Sequence, residues 1–255
     1  MYLSIVAPAW NEADGIEHFL EAALEHADLL EASPQSDVKR VEVVIVDDCS
    51  QDSTASLVHA ASNRDDRVVL LQHSRNRGLG AAVRSGIDGA RGDVILYTDA
   101  DLPVDFTEIS AMVDEYVTSG VSLVSARRAG HGGDGVRRWF YRHIYDGLIR
   151  VVLGVPVSDV NFAFKLFDAD VVRSLGLRGE GSIFDAELLG RLHRSGTKWS
   201  QIRVPYKRRQ FGESSLATPR VIVGILRDLR SLAPEIRAIG RDSRSRSAAT
   251  VNISE

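Results

Sequence analysis

Short apolar runs alternate with amphipathic stretches along the first hundred residues of the chain. The runs at 3–7, 41–46, 68–71 and 93–98 have the length and composition of buried strands. Between the first two, apolar residues recur at the spacing of one helix face, namely Ile16, Phe19, Leu20, Ala23, Leu24 and Ala27. Strands and helices that alternate in this way predict an α/β fold with a mostly parallel sheet covered on both faces.

Turn and cap residues predict two further helices in this half. Asp52 or Ser53 is suited to cap a helix that runs to Ala61, and the segment 78–80 opens another that ends near Ala90. Ligands of parallel sheets bind beyond the carboxyl ends of the strands. The polar residues that follow the first, second and fourth strands therefore form the predicted site: Asn11, Glu12, Asp47, Asp48, Asp99 and Asp101.

The second half of the chain is less regular. A strand at 121–126 ends at Arg127 and Arg128, and a glycine-rich loop follows at 129–135. Helical periodicity returns at 219–239, and the tail at 241–255 has the composition of a disordered segment. We expect one domain at 1–218, an amphipathic helix at 219–240 and a disordered tail.

Composition excludes several classes of protein. The formal net charge of −4 provides no basic field for binding nucleic acid. A single cysteine, Cys49, excludes an intramolecular disulfide and suits a reducing cytoplasm. No run of 18 apolar residues is present, so any membrane contact is expected to be peripheral, at the cytoplasmic face.

The sequence Asp99-Ala100-Asp101 places two carboxylates just past the fourth predicted strand. In a turn, this spacing is able to direct both carboxylates at one Mg²⁺ or Mn²⁺, which are hard ions that prefer oxygen ligands. Such an ion typically shares its coordination sphere with a substrate diphosphate. An ordinary solvated turn is the alternative interpretation of this short motif.

Four motifs in a fixed order resemble glycosyltransferase family 2, which has the GT-A fold. They are Val-Ala-Pro-Ala-Trp-Asn-Glu at 6–12, Val-Asp-Asp-Cys-Ser-Gln-Asp-Ser-Thr at 46–54, Asn-Arg-Gly-Leu-Gly-Ala-Ala at 76–82 and Tyr-Thr-Asp-Ala-Asp at 97–101. The resemblance extends over residues 1 to about 215 and is looser in the second half. It implies transfer of a sugar from a nucleotide sugar.

The resemblance assigns donor-binding roles to residues of these motifs. The donor would be of the GDP-mannose or UDP-glucose type, and Mg²⁺ or Mn²⁺ would be held by Asp99 and Asp101. A helix cap or turn is the alternative for Asp47, and a tight turn is the alternative for the two glycines. The implied donor and cofactor residues are Pro8, Trp10, Glu12, Asp47, Asp48, Gly78, Gly80, Asp99, Ala100 and Asp101.

The second half is most similar to the branch of this family that glycosylates polyprenyl phosphates. The matching segments are 158–167, which resembles Asp-x-x-x-Gly-Phe-Arg/Lys-Leu-Phe, a Phe-Asp-x-Glu helix at 184–188, and 209–216, which resembles Arg-x-x-Gly-x-Ser-Lys-Leu. Ala163 stands where the branch usually has glycine, and Ser215 where it often has lysine.

In this branch a lipid phosphate attacks the sugar in a single inverting displacement. The phosphate oxygen is already anionic, so it needs no general base. Because two anionic groups must then be held close together, Arg127 and Arg209 would bind the diphosphate, and Arg138 and Lys165 would bind the acceptor. If the acceptor is instead a hydroxyl of a soluble compound or polysaccharide, a carboxylate must accept its proton, and Asp185 or Asp159 is suited to do so. A third hypothesis is a non-catalytic nucleotide-sugar-binding protein.

Two basic amphipathic segments are candidates for membrane contact. Residues 136–152 mix aromatic side chains with arginines, and residues 219–239 carry an apolar stripe flanked by arginines. Such helices lie on anionic membranes, pack on their own domain or bind a partner subunit. The sequence favours the membrane for the first segment, leaves the second open, and permits a homo-oligomer.

Overall fold

The computed structural model describes residues 1–102, 104–129, 136–206 and 219–239. At 136–141, 219–223 and 226 it describes the backbone but not the side chains. The predictions for Arg209, for most of the loop at 129–135 and for the tail at 241–255 lie outside the described residues. So does the predicted role of the Arg138 side chain, although the backbone there is helical.

One seven-stranded sheet forms the centre of the described chain, in the order β3-β2-β1-β4-β6-β5-β7. Neighbouring strands run parallel except at β6, which is antiparallel to both β4 and β5. The strands are β1 (Tyr2–Ala9), β2 (Arg40–Asp47), β3 (Val68–Gln72), β4 (Val94–Thr98), β5 (Leu123–Arg128), β6 (Phe164–Asp168) and β7 (Trp199–Val204).

Helices cover both faces of this sheet. One face packs on α1, α2 and α4, and the other on α3, α5, α6, α7 and α8. The helices are α1 (Ile16–Ala32), α2 (Thr54–Ser62), α3 (Leu79–Gly89), α4 (Glu108–Ser119), α5 (Val136–Leu153), α6 (Ala169–Ser174), α7 (Phe184–Arg194) and α8 (Pro219–Ala238). The predicted α/β fold, with its mostly parallel sheet and helices on both faces, is confirmed.

The sheet alternates its side chains between two apolar cores, as the strand period of two residues requires. Along β1, Ile5 packs on the first core and Val6 on the second. Because β6 reverses direction, its amino end lies at the edge where the other strands have their carboxyl ends. Every loop that is predicted to carry a donor or metal ligand lies at that edge.

The two helices that were candidates for membrane contact differ in how they pack. In α8, Leu229, Leu232 and Ile236 are buried in the second core, so the apolar stripe of its second half covers the protein itself. In α5, Ile149 and Leu153 are buried, whereas Ile144 and Val151 are 52% and 81% exposed. No helix in the described ranges is both long enough and apolar enough to span a membrane.

Candidate active site

Hydrogen bonds lock together the loops that follow β1 and β2. The Asn11 amide donates to Ser50 Oγ at 2.9 Å, and the Gln51 amide donates to Asn11 Oδ1 at 2.8 Å. The Glu12 amide donates to Thr54 Oγ1 at 2.9 Å. These contacts explain why polar residues occur in both motifs, because they join the two loops to each other. Trp10, in the first of these loops, is 53% exposed.

Non-glycine residues with left-handed backbone are concentrated at this edge. Among the residues that the structure describes, they are Asn11, Cys49, Leu102 and Asp159, with φ between 52° and 63°. The first three follow β1, β2 and β4, respectively, and Asp159 precedes β6. Left-handed backbone is uncommon outside glycine and collects at functional sites.

Asp47 and Asp48 are both buried, and they have different partners. Asp47 accepts hydrogen bonds from the Ser50 amide at 3.2 Å and from Gln72 Nε2 at 3.1 Å, which makes it a turn residue. Asp48 accepts from the amides of Arg77 and Gly78, both at 2.8 Å. Of the two side chains, that of Asp48 is the one that accepts from the backbone of the segment before α3.

In the Asp-x-Asp turn that follows β4, the middle residue is anchored in the protein core. Ala100 is buried in the first core, while Asp99 and Asp101 on either side are half-buried. The side chain of Ala100 therefore fixes the position of the turn, and Ala100 can contact a ligand only through its backbone atoms. Burial raises the pKa of Tyr97, and the negative charges of Asp185 and Asp99 raise it further.

A divalent cation fits the chemistry of this turn. Asp99 and Asp101 supply two hard carboxylate ligands. Within the described ranges, no group of three or more His, Cys, Asp or Glu side chains is arranged to hold a metal ion. A cation at this turn would therefore need further oxygen ligands, which a donor diphosphate and water are able to provide.

Gly78 and Gly80 pack against a neighbouring backbone segment. The Gly80 amide donates to the Glu180 carbonyl at 2.9 Å, so this amide at the start of α3 is already satisfied. A Cβ at Gly78 would lie 2.6 Å from the Glu180 carbonyl oxygen, and a Cβ at Gly80 would overlap the Gly179 carbonyl. The structure therefore favours the tight-turn interpretation over direct donor binding for both glycines.

Replacing Gly80 with alanine is expected to lower the free energy of unfolding by about 1–3 kcal/mol, because the added methyl meets backbone and not a flexible side chain. Gly147→Ala in α5 is the matched control, since nothing lies within 4 Å of its Cβ position. Alanine there should be neutral or stabilise the protein by up to about 1 kcal/mol. Urea unfolding of both variants measures the difference, and equal stability would contradict the packing role.

Arg127 and Arg128 end β5 at the same edge. Arg128 is held by Asp159, with 3.6 Å between Nε and Oδ2, and its guanidinium lies over the rings of Phe162 and Tyr206. Arg127 Nε is buried and has no hydrogen-bond partner among the described residues. Arg127 is therefore the better placed of the two to meet an incoming anion.

Lys165 and Asp185 form a buried ion pair beneath this edge. Their Nζ and Oδ1 atoms are 2.6 Å apart, and Lys165 is 0% exposed. Lys165 also donates to the carbonyls of Val160 and Phe162, at 3.1 and 2.6 Å. The acceptor-binding role predicted for Lys165 is therefore corrected, because its ammonium group is buried and is already paired with the carboxylate of Asp185. Asp185, at 3% exposure, is likewise turned away from solvent.

Sequence reasoning missed two residues that organise these loops. Asp146 of α5 accepts from the amides of Asp159 and Val160, at 2.8 and 3.1 Å, and burial raises the pKa of its carboxyl. His73, just after β3, contacts Asp48 with 2.6 Å between Nδ1 and Oδ1. The signal for His73 was its place two residues beyond the predicted strand at 68–71, because in a parallel sheet this puts it at the same edge as Asp48, which follows β2.

The sequence profile described as glycosyl transferase family 2 matches residues 4–176. A prophage bactoprenol glucosyl transferase homolog of Escherichia coli is 30% identical over 189 residues, which cover 72% of this chain and 58% of that protein. The undecaprenyl-phosphate 4-deoxy-4-formamido-L-arabinose transferase of Edwardsiella ictaluri is 28% identical over 225 residues, which cover 87% and 65%. The chain thus spans about three fifths of the length of such relatives.

The fold is also similar to that of glucosyl-3-phosphoglycerate synthase from Mycobacterium tuberculosis. That protein was crystallised with Mn²⁺, uridine-diphosphate-glucose and phosphoglyceric acid. The two chains superpose with a TM-score of 0.63 at 19% identity, over 89% of this chain and 79% of the other. At this level of identity, the comparison shows a shared fold.

Proposed function

The chain belongs to glycosyl transferase family 2, and from this membership we propose that it transfers a hexose from a nucleotide sugar to a polyprenyl phosphate, with inversion at the anomeric carbon. The curated relatives named above support this acceptor class, because their names refer to bactoprenol and undecaprenyl phosphate. The donor is of the UDP- or GDP-sugar type.

One observation carries the proposal: the acidic turn after β4 and the interlocked loops after β1 and β2 lie at the same edge of the sheet. A nucleotide sugar needs both the paired loops and the acidic turn, because its base and its diphosphate are attached to opposite sides of the ribose and must be bound separately. The exposed ring of Trp10 offers an apolar surface to the nucleoside, with Glu12 and Asp48 close by in the same pair of loops.

A divalent cation bound by Asp99 and Asp101 would neutralise charge on the departing nucleoside diphosphate. The protein's own contribution is to hold these carboxylates on a turn whose middle residue is anchored in the core. Arg127 adds a fixed positive charge at the end of β5. Both the cation and Arg127 would then balance the charge of the diphosphate, and the acceptor oxygen would attack the anomeric carbon from the side opposite this leaving group.

Burial of the two candidate bases favours a phosphate acceptor over a hydroxyl. A hydroxyl must lose a proton as it attacks, and a general base has to lie within hydrogen-bond reach of it. Asp185 is paired with Lys165, and Asp159 accepts from the Arg128 amide at 3.1 Å and is 7% exposed. An anionic phosphate oxygen needs neither of them.

The outer face of α5 supports peripheral contact with the membrane that would hold such an acceptor. Ile144 and Val151 are exposed on this helix, and Arg150 beside them is exposed as well. Apolar and basic side chains on one helix surface suit an anionic lipid interface. We assign this contact to α5 and not to the second half of α8, whose apolar residues are buried.

Incubation with labelled nucleotide sugars and undecaprenyl phosphate in detergent tests the proposal. The donors are GDP-mannose, UDP-glucose and UDP-N-acetylhexosamines, each with Mg²⁺ or Mn²⁺. We expect label from one donor to enter the organic phase and EDTA to abolish the transfer. A heat-denatured sample and a sample without lipid phosphate are the controls.

Two outcomes would replace this function with another. Label that reaches only a water-soluble acceptor would favour a transferase that uses a soluble or polysaccharide hydroxyl. Nucleotide binding without transfer of any donor to any acceptor would favour a non-catalytic binding protein. The retained pair of Asp99 and Asp101 argues against the second, because a protein without transfer chemistry has no need of metal ligands.

A further inference from the structure

We propose that His73 is a positioning residue for the donor site, which sets nucleotide affinity by holding Asp48 and the turn before α3. This inference rests on the proposed function, because it takes the space beside Asp48 as the nucleoside site. His73 lies outside the four motifs at 6–12, 46–54, 76–82 and 97–101.

His73 joins two elements of the fold through its two ring nitrogens. Nδ1 lies 2.6 Å from Asp48 Oδ1, at the end of β2, and Nε2 lies 2.9 Å from Ser85 Oγ, in α3. The backbone amide of His73 also donates to the Asp47 carbonyl at 2.9 Å. With a side chain only 8% exposed, the imidazole has little freedom to leave this position.

Asp48 in turn holds the turn that leads into α3. Its carboxylate accepts from the Arg77 amide on Oδ1 and from the Gly78 amide on Oδ2, both at 2.8 Å. A carboxylate offers about four acceptor positions, and the three described donors leave about one for a ligand. The direction of that remaining position is fixed by the other three contacts, so His73 controls how Asp48 meets a nucleoside.

The tautomer follows from the chemistry of the two partners. A carboxylate only accepts, so Nδ1 carries the proton that it shares with Asp48. A serine hydroxyl both donates and accepts, so Ser85 is able to pair with Nε2 whether or not that nitrogen is protonated. The contact with Asp48 is therefore the specific one, and the contact with Ser85 adapts to it.

Two substitutions separate these contacts. Asparagine at position 73 places an amide near the Nδ1 position and keeps a donor for Asp48, whereas glutamine reaches towards the Nε2 position and loses it. We expect His73→Gln to weaken binding of UDP or GDP about tenfold. His73→Asn and Ser85→Ala should stay within about threefold of the native protein.

The measurement is isothermal titration calorimetry of UDP and of GDP with Mg²⁺ present, on the full chain, below the melting transition of each variant. His59→Asn is the matched control, because His59 is an exposed histidine of α2. In the transfer assay, His73→Gln should raise KM for the donor and change kcat much less. A purely structural role would give no such difference between asparagine and glutamine.

Nitrogen-15 NMR of the native protein keeps the inference testable if His73→Gln does not fold. We expect a proton on Nδ1 of His73 and a shift of its signals on addition of the nucleotide, with no shift for His59. Equal binding by the glutamine and native proteins, or His73 signals unmoved by a bound nucleotide, would overturn the inference alone. Failure of the native protein to bind either nucleotide would overturn the proposed function itself.

Discussion

Replacing Asp101 with asparagine is expected to lower kcat for sugar transfer about 10²- to 10³-fold. The substitution keeps the size of the side chain but removes one of the two negative charges of the acidic turn. It also leaves Ala100 in the core, so the turn itself should keep its shape. Binding of the nucleoside diphosphate should weaken with Mn²⁺ present, and in EDTA it should match binding by the native protein.

Asp93→Asn is the matched control for this prediction, because Asp93 lies just before β4, at the opposite edge of the sheet from the acidic turn. Its carboxylate accepts from the Tyr2 amide at 3.0 Å, and an asparagine oxygen can do the same. Steady-state kinetics and calorimetry of the two variants give the comparison. Full turnover by Asp101→Asn would show that the pair does not bind the metal.

Replacing Lys165 with methionine is expected to lower the free energy of unfolding by about 3–5 kcal/mol. Methionine fills a similar volume, but it leaves the buried carboxylate of Asp185 without its cation. The carbonyls of Val160 and Phe162 lose a donor as well. The double variant Lys165→Met/Asp185→Asn should recover part of this loss, because its second substitution removes the buried charge.

Guanidinium unfolding of the single and double variants measures this prediction. Lys198→Met serves as the control for loss of a lysine charge, because Lys198 is exposed and its replacement should change stability by no more than about 0.5 kcal/mol. A loss below about 1 kcal/mol for Lys165→Met would mean that the ion pair contributes little net stability. It would also reopen the acceptor-binding role first predicted for Lys165.

The first half of the fold could be predicted because its local signals agree with one another. The run at 41–46 is apolar except for Glu42 and is buried on both faces of the sheet, so it lacks the alternation of a half-exposed strand and still marks β2 clearly. The polar residues at 47 and 48 then mark its end. The same logic placed Asp99 and Asp101 correctly after β4.

The second half resisted prediction because its features depend on distant partners. Lys165 interrupts the apolar run of β6, and only the presence of Asp185 in α7 makes a buried lysine there acceptable. The reversed direction of β6 has no local signature either. For the same reason, the local sequence around Gly80 does not reveal its packing against Gly179. The position of His73 indicated that it lies near Asp48, but not that the two side chains are in contact.

Because β6 lies beside β4 in the sheet but far from it in sequence, the two strands leave the ribosome at different times during synthesis. β4 is complete at residue 98, but the strand that covers its edge begins only at residue 164. At a synthesis rate of about 5–20 residues per second, that edge stays open for several seconds. Open strand edges pair readily with other chains, so a nascent chain of this protein is exposed to mispairing at β4 during this interval.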